Sequence, residues 1–136
     1  LLLRLARMTG DSSYESRAEK TAQSASGPLT QYPMAYPQML IAIYFAAGPS
    51  QEIVLAGPKE TPEFETMRKT ISDIFQPNRV LLHQPGGKEG TRIEALAGYI
   101  KKQQAVDGKT TAYVCQNYEC KFPVTSPGDL KKMLKT

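Results

Sequence analysis

Cysteine and histidine are scarce in this 136-residue chain, with two of the first and one of the second. Two cysteines are too few for the framework of a small disulfide-rich secreted scaffold. A single histidine, His83, denies the chain a standard zinc cluster, so neither a metal nor a cofactor is expected. Long apolar runs are also missing. The longest extends from Met39 to Ala47, far short of the roughly 20 residues that carry a helix across a bilayer, and no membrane partner is expected. Leu1-Leu2-Leu3 is broken by Arg4 and Arg7 and no cleavage pattern follows it, which argues against a signal peptide and makes a reducing cytoplasm the expected compartment. Charge of one sign never accumulates: 17 Lys and Arg face 13 Asp and Glu, for a net +4. Without a run of five like charges the polybasic signature of a nucleic-acid arm is absent, and no nucleic-acid partner is expected. Phosphate-loop motifs are missing as well. Gly86-Gly87-Lys88-Glu89-Gly90-Thr91 places Glu89 where a Walker motif needs Ser or Thr, and no G-x-G-x-x-G exists. Finally, Leu1 to Ala6 reads as the middle of a helix with no capping residue ahead of it, so the chain is expected to be a piece of a longer one.

What is present is ordinary globular composition, 40% hydrophobic and 22% charged, enough for one compact domain or two small pieces. Residues 1–50 read as helices. Leu2, Leu5, Ala6 and Met8 suit a helix stopped by Gly10. Asp11 or Ser12 caps a second helix running to about Ser24, and Gly27-Pro28 breaks it. A third helix follows Pro37 and runs from Gln38 to Ala47, stopping at Gly48-Pro49. It is apolar on every side, so it must be buried on every side. Its two polar neighbours cannot surround it. Either it packs beneath the second half of the chain, or it is covered by partner helices from outside this chain, or it mediates a homo-oligomer; the second is preferred.

Residues 51–136 change period. Ile53-Val54-Leu55-Ala56 reads as a buried strand. Thr61-Pro62 starts a helix whose apolar face is Phe64, Met67, Ile71, Ile74 and Phe75. Arg79 to His83 is a second strand, Pro85 to Gly90 a loop, and Ile93, Leu96, Ala97 and Ile100 a further helical stripe. Asp107-Gly108 turns the chain into a third strand, Thr110 to Gln116, and Ser126 opens a last helix buried through Leu130, Met133 and Leu134. This β-α-β-α-β-α order predicts an α/β unit with a three-stranded, mainly parallel sheet, like half of a doubly wound fold.

Few local features carry chemistry. Cys115 and Cys120 are spaced too widely for a redox C-x-x-C pair, although a turn at Asn117 and Glu119 would bring the sulfurs together. A thiol pair, half a metal site and two ordinary cysteines all remain open. His83 ends a strand on the edge where open α/β sheets bind ligands, where it is either a general base or simply a polar terminus. Gly57, His83 and Gln116 together mark the ligand edge expected if the α/β part is a small-ligand or partner-binding module. Loops at Gly57-Pro58-Lys59 and Gly86 to Thr91 are anion sites or plain connections. Tyr32, Met34, Tyr36, Met39 and Tyr44 suit a helical core better than a ligand pocket.

Leu3-Arg4-Leu5-Ala6 with Thr9-Gly10-Asp11, then Pro37-Gln38-Met39-Leu40, Glu52 to Gly57, Pro77 to Leu81, and Thr111-Ala112-Tyr113-Val114-Cys115 through Cys120 with Pro123 to Pro127, resemble the C-terminal end of the thioredoxin-domain-containing proteins of the YyaL type. The resemblance runs over almost the whole chain. It implies a parent with a thioredoxin-like domain followed by an (α/α) barrel of the six-hairpin glycosidase or sugar-epimerase type. Residues 1–50 would be the last hairpin of that barrel, with Tyr36 and Gln38 facing its interior, and residues 51–136 a small α/β tail. The partner so implied is the remainder of the parent chain, and the parent's chemistry would be carbohydrate-directed or thiol-redox. Cys115 and Cys120 match the family's tail cysteines. The thioredoxin cysteines are absent here, so no catalytic residue is assigned.

Overall fold

The computed structural model describes residues 1–116 and 119–135. The N-terminal part is helical. Helix α1 (Leu2–Thr9) ends on Gly10 in the left-handed conformation, φ 76°, as its sequence predicts. Helix α2 (Ser12–Ser24) is capped by the Asp11 carboxylate, which accepts from the Ser13 N–H at 2.8 Å. The helix ends at Ser24 as expected, but the break falls at Ala25: Gly27 and Pro28 lie in the first turn of α3 (Ser26–Gln31), where proline sacrifices no helical N–H bond. A 3-10 turn at Pro33–Ala35 leads to α4 (Pro37–Ala47), which stops at Gly48.

The remainder is a sheet with helices on both faces. Strand β1 (Gln51–Ala56) is followed by α5 (Pro62–Ser72), whose Thr61 cap and first-position Pro62 stand as the sequence indicates. Then come β2 (Arg79–Gln84), α6 (Gly87–Leu96), a 3-10 helix at Gly98–Lys102, β3 (Thr111–Gln116), β4 (Glu119–Cys120) and α7 (Pro127–Leu134). Among the described residues the sheet has four strands in the order β2-β1-β3-β4. The expected three-stranded, mainly parallel sheet is therefore corrected to a mixed one. β1 pairs parallel with β2, Leu55 opposite His83, whereas β3 runs antiparallel to β1, Glu52 opposite Cys115.

The cause of the reversal lies just before β3. Val106 and Lys109 bridge across Asp107 (φ 50°) and Gly108 (φ 70°), a two-residue left-handed turn that sends the chain back on itself. Strand β3 consequently starts at the edge of the sheet where β1 and β2 end. The fourth strand is too short to show a period, and Asn117, expected in the turn ahead of it, lies outside the described residues.

The two sheet faces make two cores. On one, Ile53, Leu55, Ala112 and Val114 meet Phe64, Met67 and Ile71 of α5 and Leu130 and Leu134 of α7. On the other, Val54 and Leu82 meet Ala97 and Ile100, with Met8 of α1 packed against them. Within residues 51–136, two residues assigned to helical faces are exposed. Phe75 lies beyond the end of α5 and is 92% exposed, and Leu96, the last residue of α6, is 68% exposed. The last four residues of the expected loop at Pro85 to Gly90, Gly87 to Gly90, are the first turn of α6. No described helix is long and apolar enough to cross a membrane.

Candidate functional site

Three places hold the residues singled out in the sequence. The first is the face formed by α1, α2 and α4. Arg4 fixes α1 in position: its guanidinium donates to the carbonyls of Pro77 (2.7 Å) and Arg79 (2.8 Å) and stacks 4.9 Å from the Phe45 ring centre. Arg7 pairs with Glu15 at 3.4 Å across the α1–α2 turn. At the far end of α4, the Asn78 side-chain amide donates to the Tyr44 carbonyl at 3.4 Å. A methyl group on Gly48 would come within 2.3 Å of that amide nitrogen, so glycine is required for this approach. Between the helices lies an apolar groove of about 330 Å³, lined by Leu2, Leu3, Ala22, Met39, Ile43 and Ala46. Gln38 also lines it, whereas Tyr36, the residue capping α4, is exposed. Of the large side chains of α4 only Phe45 is buried; Ile41 is 54% and Tyr44 60% exposed.

The second place is the edge where β1 and β2 end. His83 and Gly57 come together here, the imidazole Nε2–H donating to the Gly57 carbonyl at 2.7 Å. Because a carbonyl only accepts, this bond fixes the proton on Nε2. The ring also stands edge-on to Phe64, 4.6 Å between centres. Gly57 adopts φ 128°, with its Cα face against Thr110, whose hydroxyl lies 3.2 Å from that of Thr61. Gln116 does not join them. It pairs with Gln51 at the opposite end of β1, because β3 is antiparallel. His83 thus ties the β1–α5 turn to β2 and packs on the core.

The third place is the β3–β4 hairpin. Cys115 and Cys120 stand directly opposite each other and are joined by a disulfide. Cys115 is buried and Cys120 exposed. The Gln103 side-chain amide lies over the bridge, its Nε2 3.7 Å from the Cys115 sulfur and 3.5 Å from that of Cys120. Its Oε1 is buried with no hydrogen-bond partner among the described residues. Glu52, fully buried and opposite Cys115 in β1, accepts a hydrogen bond from the Ser50 hydroxyl. Among the described residues no three His, Cys, Asp or Glu side chains converge as metal ligands would.

Sequence reasoning does not single out Arg4, Glu52, Arg79 or Gln103. Glu52 and Arg79 each open an apolar strand, and a charged residue flush against such a run is the one signal available. Gln103 and Arg4 carry none, since their partners lie far along the chain.

The chain is similar to spermatogenesis-associated protein 20 of Homo sapiens, at 26% identity over 133 residues, and to the proteins of the same name from Rattus norvegicus (25%) and Mus musculus (24%). Each alignment covers 98% of this chain but 17% of the relative, so the chain spans about a sixth of the length of the curated proteins it matches. No family model and no solved structure matches it.

Proposed function

We propose that this chain is the closing segment of a longer protein, whose helical barrel it completes through α1, α2 and α4 while the α/β unit forms its tail. The observation that carries this reading is α4. An eleven-residue helix built from Pro37 to Ala47 with no charged side chain exposes Leu40, Ile41, Ile43 and Tyr44 beside an apolar groove. A contiguous apolar surface of this kind marks a place where something docks. The match to only 17% of each relative supports an occupant from the same polypeptide, which in this reading is a set of further helices. In this reading Gln38 and Tyr36 stand toward the barrel interior, and the parent's chemistry, carbohydrate-directed or thiol-redox, resides on residues outside this chain. The test is an antibody raised against residues 51–136, applied to an extract of the source cells. A band several times larger than 15.0 kDa is expected; a band at 15.0 kDa overturns the reading.

A further inference from the structure

We propose that the Cys115–Cys120 bridge is a reversible thiol–disulfide exchange site, entered at Cys120 by a small thiol that carries both an amino and a carboxylate group. The closing-segment role makes no use of this bridge, and three observations converge on it.

Access is one-sided. Cys115 is buried against the sheet, while Cys120 sits on the exposed two-residue strand β4. An attacking thiolate must approach the sulfur it will bond to, and only Cys120 offers one to solvent. Over Cys120 lies an open hollow of about 470 Å³ lined also by Gln116, Glu119 and Lys121. Glu119 and Lys121 border this same hollow, so one acidic and one basic residue stand at its rim, which complements a zwitterionic thiol of amino-acid or short-peptide type better than a neutral one.

Gln103 is arranged for the reduced pair. It is only 7% exposed, and its Nε2–H group is directed at both sulfurs. A disulfide sulfur is a weak acceptor and a thiolate a strong one, so this donor gains most when the bridge opens. The buried Oε1 has no donor among the described residues in the disulfide form. A thiol S–H is a donor, so an amide turned over beside the reduced pair finds the partner that the disulfide denies it. Gln103 is therefore a positioning residue for the departing sulfur.

The step balances as follows. The incoming thiolate forms a bond to Cys120 Sγ as the Sγ–Sγ bond breaks, and the electron pair leaves on Cys115 Sγ, held by the Gln103 amide. A second molecule of the small thiol attacks the sulfur of the bound one, releasing the oxidised small disulfide and Cys120 thiolate. Two thiols are oxidised and one protein disulfide is reduced.

The test uses the whole chain under native buffer with reduced glutathione, quenched by acid and read by intact mass and peptide mapping. The expected result is a transient adduct of one glutathione on Cys120, with none on Cys115. Opening should be faster with glutathione than with 2-mercaptoethanol once rates are corrected for thiolate content. Gln103→Leu should slow opening about tenfold, the scale of a hydrogen bond to a charged sulfur. The adduct-mapping arm needs no variant, so it stands even if Gln103→Leu fails to fold. Two thiols that fail to form the bridge with oxidised glutathione, an adduct on Cys115, or opening only after denaturation would each overturn the site. Equal corrected rates for the two thiols overturn the assigned thiol class.

Discussion

Arg79 and Tyr113 show how single polar side chains are made to serve this sheet. Arg79 reaches back from the start of β2 to the end of α5, donating to the carbonyls of Ile71 (2.7 Å) and Ile74 (3.0 Å), while its Nε donates to Gln51 Oε1 at 2.7 Å. It thereby ties the last turn of α5, and Ile74 just beyond it, to the start of β2, and burial lowers its pKa. Tyr113 is the mirror case on β3. Burial holds its phenol above the ordinary range, and its hydroxyl donates to the Gln104 carbonyl at 2.7 Å, a bond that only the neutral phenol can give. The folded pKa therefore exceeds the unfolded one. Between the two the unfolded chain holds fewer protons, so raising the pH favours unfolding. Stability should be intact below the ordinary tyrosine pKa of about 10 and fall as the pH rises past it. Tyr113→Phe should lose about 1 kcal/mol at neutral pH through the missing hydrogen bond, yet show a flatter alkaline limb. Urea titrations from neutral to strongly alkaline pH read both effects, and an unchanged alkaline slope in the variant would remove the argument.

At the scale of elements, the turn at Asp107-Gly108 decides the topology. With both central residues at positive φ it matches the twist of an antiparallel connection. Gly108 has open space around the position of a Cβ, so its need for glycine is conformational rather than steric. Gly108→Ala is expected to cost about 1 kcal/mol, the penalty of placing an L-residue in the left-handed region, with a matching drop in thermal midpoint and no change in the disulfide. A rise in midpoint would mean that the turn is not held as described. This turn also marks where sequence reading stops. Local signals serve well for helix ends: Gly10, Asp11, Thr61-Pro62 and Ser126 act as caps where their chemistry says they should. Apolar period places Phe64, Met67 and Ile71 in one core correctly, because those positions share a helical face. Strand direction has no local signature. Alternating strands and helices suggest a parallel sheet, and nothing in Thr111 to Gln116 itself contradicts that. The consequence falls on the candidate site. His83 and Gly57 meet because β1 and β2 are parallel, whereas Gln116 is carried to the other end of the sheet. Phe75 fails because periodicity continues a helical face past Ser72, where α5 ends; Leu96 closes α6 and stays exposed while Ala97, just beyond it, is buried.

For the whole molecule the decisive question is what covers α4. One side of it is settled: Phe45 lies under the Arg4 guanidinium, and Asn78 holds the Tyr44 carbonyl. The side carrying Leu40, Ile41 and Tyr44 faces solvent. Two environments for that side predict opposite responses to the same substitution. In the isolated 136-residue chain, Ile41→Lys with Tyr44→Lys removes apolar surface from water and breaks no side-chain hydrogen bond or ion pair among the described residues. Its effect on folding stability should stay within about 0.5 kcal/mol for each change. If the bare face drives self-association, as exposed apolar patches do, the double variant should sediment as a smaller species than the unaltered chain at equal concentration. If the closing-segment proposal holds, the same side is buried against barrel helices in the longer polypeptide. There each lysine replaces a buried apolar side chain, whose loss alone is about 2 kcal/mol, and adds the cost of an unpaired charge. The double variant should then be strongly destabilised, with a lowered unfolding midpoint and reduced soluble yield. Equal tolerance of the two lysines in both lengths would show that α4 remains in water in the longer protein as well, and the closing-segment role would lose its physical basis.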